Sequence, residues 1–199
     1  MRSENGGARS GPSGSPEQAT MPAPVALTGV PGTGKSTTAA TLASEFRSVE
    51  VGDLAVSWGL ARRSAGSLTV DLDRMRRRFR QSPPKADLVV GHLAHLLPVR
   101  DVVVLRCHPE ELRARLARSR RGSARDRREN YVAEALDVVL VEAVRPGRRV
   151  WEVDTTRRTP AEVARAVRRL VRLRPASRYG RVDWLSDRRV TEHLLAGER

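Results

Sequence analysis

Residues 29–36 read Gly-Val-Pro-Gly-Thr-Gly-Lys-Ser, a complete G-x-x-x-x-G-K-[ST] loop. The apolar run Val25-Ala26-Leu27 precedes it, and a helix-forming stretch from Thr37 to Phe46 follows. Strand, loop and helix in that order are the context the motif requires. The alternative, a chance glycine-rich turn, does not account for both flanks. The glycines let successive backbone N–H groups converge on phosphate oxygens without a Cβ in the way. Lys35 would neutralise the β/γ-phosphates of a nucleoside triphosphate and the Ser36 hydroxyl would ligate Mg²⁺, while the helix presents its positive end. The chain has only two lysines, Lys35 and Lys85, among 37 basic residues. A sequence that uses arginine almost everywhere has kept lysine where a slim point charge is needed.

Working outward, 199 residues suit one compact domain with some tail. The first 22 residues, rich in Gly, Ser and Pro, read as a disordered tail. No apolar segment follows Arg2, so they do not form a signal peptide, and Met21 stands as an alternative start. No run reaches the roughly 18 apolar residues of a membrane span. The single cysteine, Cys107, excludes an intrachain disulfide and fits a reducing, cytoplasmic setting. At the end of the Val102–Arg106 run it reads as a buried structural thiol rather than a nucleophile. The net charge of +14 points to phosphate-rich ligands. With so few aromatics, base-stacking platforms are not expected.

Strands are predicted near 24–28, 48–51, 87–91, 102–107 and 150–153, with helices over 35–46, 69–80, 109–118, 129–144 and 160–173. Continuous Val/Leu runs such as Val102–Leu105 suit a parallel sheet covered on both faces. The predicted fold is therefore α/β, a three-layer P-loop fold with a five-stranded parallel sheet and a small lid. Its ligand should sit at the carboxyl ends of the strands. The polar, Arg-dense stretch from Ser119 to Arg128 is predicted to be a flap. After Arg174 the chain reads as irregular, with Trp184-Leu185 its one apolar anchor.

Further segments choose among P-loop proteins. The Asn-Lys-x-Asp and Asp-x-x-Gly signals of GTPases are absent. Present in order are Val51-Gly52-Asp53-Leu54, Val70-Asp71-Leu72-Asp73-Arg74 and Gly91-His92-Leu93-Ala94-His95-Leu96-Leu97-Pro98. Pro109-Glu110-Glu111-Leu112, Arg115-Leu116, Glu129-Asn130 and Glu152-Val153-Asp154-Thr155-Thr156 follow. This series resembles the archaeal branch of the adenylate kinase 6 / Fap7 family over roughly residues 24 to 172. Val182-Asp183-Trp184-Leu185 is similar to the tail of its archaeal members.

The resemblance implies a kinase domain over 23–174, followed by a C-terminal extension over 175–199. It implies a broad-specificity nucleoside monophosphate kinase, converting ATP and AMP to two ADP, with ATPase activity and a role in maturing the small ribosomal subunit. The cofactors would be ATP and Mg²⁺. The partners would be AMP or another nucleoside monophosphate, and the small subunit through its uS11 protein and rRNA. Gly32, Gly34, Lys35, Ser36 and Thr37 would hold the triphosphate, with Ser36 on the metal. The monophosphate segment would run from about Glu50 to Asp73, with Asp53 and Asp73 as acceptor contacts or helix caps. The lid would run from about Arg120 to Arg128, with Arg121 clamping the transferring group, aided by Arg118 or Arg125.

His92 would orient water or metal-bound solvent at the γ-phosphate, or serve in packing; His95 reads as structural. Two positions depart from the family pattern. Its Asp-x-His carboxylate is Val90 here, with Asp87 too early in the strand to replace it, and a basic lid position is Asp126. A carboxylate restored at Val90 is expected to raise Mg²⁺-dependent transfer, unless Val90 points into the core. A ribosome-assembly ATPase and a small-metabolite kinase are the competing readings.

Overall fold

The computed structural model describes residues 23–64, 67–119 and 122–196. The N-terminal tail and Arg121 lie outside them. Five strands form one parallel sheet: β1 (Val25–Thr28), β2 (Ser48–Glu50), β5 (Leu88–Val90), β6 (Asp101–Arg106) and β7 (Arg149–Asp154). Their order across the sheet is β2-β5-β1-β6-β7. β3 (Ala61–Ser64) and β4 (Ser67–Val70) pair antiparallel in a separate hairpin.

Strand alternation divides the core in two. Val25 and Leu27 of β1, Leu88 and Val90 of β5, and Val103 and Leu105 of β6 face α1 (Lys35–Thr41) and α7 (Pro160–Leu173). Ala26, Val89, Val102 and Val104 face the other way, toward α2 (Val51–Ser57), α3 (Leu72–Gln81) and α6 (Val138–Ala143). Both faces are dry, which is why these strands are apolar without a break. Each fully buried Val or Leu contributes about 1.5–3 kcal/mol. The apolar faces of α3 and α7 follow helical spacing, with Met75 and Phe79 buried on one and Val163, Val167 and Val171 on the other. Thr159 and Glu162 cap the start of α7 reciprocally.

Several segments differ from expectation. Residues 69 and 70 belong to β4, and α3 begins only after Asp71, whose carboxylate accepts from the Arg74 N–H at 3.0 Å. The helix expected over 129–144 is two: α5 (Ala124–Ala135) and α6, broken where Asp137 adopts φ 57°. There the Asp137 carboxylate binds the guanidinium of Arg106, and Asp is among the residues that tolerate this backbone. The stretch from Ala124 to Arg128 is the first part of α5, capped by a reciprocal Ser123–Asp126 pair, rather than flap. Finally, the chain beyond Arg174 is ordered onto the domain. Arg178 bridges Trp151 beside β7, and α8 (Arg188–Ala196) buries Val190 against Tyr131 and Ala135.

Candidate active site

The loop after β1 closes over the N-terminus of α1 at the carboxyl end of the sheet. Gly32 and Gly34 sit at φ 92° and 94°, backbone that side-chain-bearing residues avoid. Gly34 is the N-cap of α1 and supplies no side-chain cap. The first N–H groups of that helix are therefore left for an anion. Lys35 folds back onto its own loop, its Nζ donating to the carbonyls of Gly29 and Val30 at 2.9 Å each. Burial pushes its ammonium down to about 8, against the opposing pull of Glu50 and Glu134. The charge is held near the loop without an ion-pair partner among the described residues.

Ser36 donates its hydroxyl to Glu50 Oε1 at 2.8 Å. Glu50 ends β2 and occupies the N-cap position of α2, yet its side chain makes no cap hydrogen bond. In the sheet Glu50 pairs with Val90. Val90 itself is fully buried in the core that α1 contributes to. Asp87 accepts from the Arg47 N–H at 2.8 Å, at the opposite end of its strand from the loop.

His92 lines the same cavity as the phosphate loop. Burial, then the charges of Lys35 and His95, hold its imidazole below the ordinary range, so it is neutral at pH 7. His95 is a buried link: Nδ1 meets Thr28 Oγ1 and Nε2 meets Glu142 Oε2, both at 2.9 Å. Its structural reading holds. Cys107 is likewise fully buried, its thiol pushed up to about 12 by burial, an inert group.

The far wall comes from α4 (Pro109–Ser119) and α5. Arg115, Asp126 and Asn130 line a cavity of about 750 Å³ with the loop, Glu50 and His92. Arg115 was not among the sequence candidates. It is anchored from both sides: Nη1 and Nη2 donate to Thr155 Oγ1 and O, at 3.1 and 2.9 Å, and Nη2 to Glu111 at 2.5 Å. It also borders a second hollow of about 300 Å³, walled by Gly34, Thr37, Thr155, Arg158 and Val163. Beyond its place in the Arg115-Leu116 segment, the sequence hinted at it through the Glu111-x-x-x-Arg115 spacing on a helix.

Arg125 is instead paired with Glu129 at 2.8 Å in solvent, and Arg118 is exposed. Asp53 is exposed in the first turn of α2, and Asp73 is exposed and paired with Arg76 at 3.2 Å. Neither aspartate lines the cavity.

The arrangement gathers loop amides, an ammonium, a hydroxyl, a carboxylate and a guanidinium round one hollow, the apparatus for holding and transferring a phosphoryl group. A family model described as "AAA domain" matches residues 25–137. A protein of Thermococcus onnurineus named "Putative adenylate kinase" is 35% identical over 178 residues, covering 87% of this chain and 98% of its own. A protein of the same name from Pyrococcus furiosus is 39% identical over 165 residues, covering 80% and 90%. Among solved structures, an unliganded sugar kinase from Janibacter sp. HTCC2649 is 20% identical. It covers 79% of this chain and 100% of its own, with a TM-score of 0.48. On the matched residues and the two archaeal relatives, the chain belongs to the AAA-domain family of P-loop proteins and, within it, to the group that these relatives form.

Proposed function

We propose that the chain is a nucleoside monophosphate kinase that moves the γ-phosphoryl group of ATP to AMP or a similar acceptor, with ATPase activity alongside. The observation that carries this reading is the convergence of Lys35, Ser36, His92 and Arg115 on one cavity of about 750 Å³. That space, with the 300 Å³ hollow beside it, suits two ligands meeting end to end. The names of the archaeal relatives support the acceptor class.

The triphosphate would lie on the loop amides. Lys35 would exchange the carbonyls of Gly29 and Val30 for β/γ-oxygens, and Thr37 would meet the chain behind them. The hydroxyl of Ser36, a hard oxygen donor, would help to hold Mg²⁺, which would supply positive charge against the charge that develops in transfer. The donor nucleoside would occupy the smaller hollow between α1 and the 155–163 stretch. Arg115, held rigid by Thr155 and Glu111, would face the transferring group, and Arg121 would join it from the lid. Neutral His92 would hold a proton on one ring nitrogen and orient solvent at the γ-phosphate, which also gives a route to hydrolysis. No general base is needed for transfer, because the acceptor phosphate is already anionic.

One observation favours a second reading, an assembly ATPase that meets the uS11 protein and rRNA. Arg62, Arg74, Arg77 and Arg78 line two adjoining hollows away from the loop and have no carboxylate partner among the described residues. Four guanidinium groups without a carboxylate partner, one of them (Arg78) stacked on Trp58 at 6.0 Å, suit a phosphate backbone. A coupled assay with AMP, CMP, small alcohols and no acceptor, with and without small-subunit RNA, separates the readings. Acceptor-dependent ADP formation supports the kinase. Acceptor-independent turnover raised by RNA supports the ATPase.

A further inference from the structure

We propose that Glu50 is the carboxylate that holds Mg²⁺ at the triphosphate site. The inference rests on the nucleotide-binding reading above and adds the missing metal partner to it.

Four observations converge. The carboxylate of Glu50 already meets the hydroxyl that would ligate the metal, at 2.8 Å. Next, Glu50 and Val90 are register partners on neighbouring parallel strands. Register partners project to the same face of a sheet, about 4.8 Å apart, and a glutamate spans part of that gap with its extra methylene. Glu50 thus stands beside Val90 in the sheet, but unlike the buried Val90 it lines the cavity with the loop.

The third observation is elimination. Among the described residues lining the 750 Å³ cavity, the carboxylates are Glu50 and Asp126. Asp126 is committed to its capping box, receiving the Ser123 N–H at 2.7 Å. Asp87 is committed at the other end of its strand. The fourth is electrostatic. Glu50 has no Arg or Lys within ion-pair distance among the described residues, and it caps nothing on α2. The Glu50 carboxylate, hydrogen-bonded by Ser36 and within the field of Lys35, would still repel a triphosphate unless a further cation stood between them. A hard divalent cation, which prefers oxygen ligands, turns that repulsion into coordination, directly or through a bound water.

Glu50→Gln tests this with binding rather than turnover as the readout. Gln keeps the size of the side chain and can still accept the Ser36 hydrogen bond, so a merely structural role leaves the variant unchanged. ATP would be titrated calorimetrically into wild type and variant, once with Mg²⁺ and once with EDTA. Wild type is expected to bind ATP more tightly with Mg²⁺. The variant is expected to need about 10- to 100-fold more Mg²⁺ for the same gain, while ATP in EDTA binds as well as before or better. Mn²⁺ resonance spectra of the ATP complex should show the same loss of affinity. Full retention of the Mg²⁺-dependent gain in Glu50→Gln would overturn the proposal. Absence of ATP binding to wild type in both arms would instead overturn the nucleotide reading itself.

Discussion

Lys35 carries the most charge-sensitive step at the scale of single residues. Its ammonium must be protonated to meet phosphates, but burial has brought it down to about 8 in the free protein. Below that pH the group is charged and binding takes up no proton. Above it, each binding event must protonate Lys35 first, so ATP affinity should weaken toward tenfold per pH unit. Calorimetry from pH 7.5 to 9.5 in buffers of different ionisation enthalpy should register the proton uptake; flat affinity would deny Lys35 its role. Lys35→Ala should abolish ATP turnover with melting little changed, since among the described residues its ammonium donates to two loop carbonyls and to no carboxylate. Val90 makes the opposite case. The sequence comparison suggested that an added carboxylate there would help catalysis. The side chain is fully buried in the core that Ala39 and Leu42 also form, so Val90→Asp should cost about 2–4 kcal/mol. Its Mg²⁺ requirement should not fall, and thermal melts beside Mg²⁺ titrations check both halves. Lys35 was legible because its motif is local. Glu50 was not, because its partner arrives through strand register across 14 residues of sequence.

At the scale of elements, what was legible is what two-sided burial writes into the chain. The sheet strands were anticipated, most plainly β1, β5 and β6, whose apolar runs are buried on both faces. The β3–β4 hairpin was not: Ala-Arg-Arg-Ser carries no apolar alternation, and Ser-Leu-Thr-Val alternates over only four residues. Nor was α2, seven residues long and burying only Val51, Leu54 and Ala55. The break between α5 and α6 has a tertiary cause, the reach of Asp137 to Arg106, which local propensity does not encode. Among the described residues, the arginine that lines the cavity is Arg115, from the middle of α4; Arg121 lies outside them. Being braced by Thr155 and Glu111, it is pre-organised for a planar, two-pronged contact. Arg115→Ala should lower kcat by roughly 10³-fold with melting little changed. Arg115→Lys should recover little, because a point charge cannot hold Thr155 and phosphate together. A steady-state comparison of both variants would decide; near wild-type kcat in Arg115→Ala would return the role to the lid.

Across the whole molecule, the C-terminal segment decides what counts as the folding unit. Arg106 is buried at the end of β6 among Glu134, Glu152 and Asp137. Burial pushes the Glu134 carboxyl up, against the pull of Arg106. The segment after Arg174 completes that cluster. The Trp184 indole N–H donates to Glu134 at 3.0 Å, and the Arg181 and Val182 N–H groups donate to Glu152. The carbonyls of Pro175 and Ala176 accept from the Trp151 indole at 3.2 and 3.1 Å. Val190 of α8 is fully buried. Cutting the chain after Arg174 would expose Tyr131 and Ala135, worth about 2 kcal/mol in lost apolar burial. It would also strip partners from Trp151 and Glu134, about 1–3 kcal/mol each. The expected loss is about 5 kcal/mol, or about 10–20 °C in melting temperature. Acid should loosen the same attachment in the intact chain. The carboxyl of Asp187 is held down to about 2, first by the Arg189 backbone N–H and side chain and then by His108. A depressed carboxyl stabilises above its unfolded value near 3.8 and loses that contribution as pH falls toward 2. Trp184, which packs on His108 with ring centres 5.0 Å apart, should report the release by fluorescence in that window. If the truncated chain melted with the full one, residues 23–174 would be a self-sufficient domain and the cluster round Arg106 would need no closure from the tail.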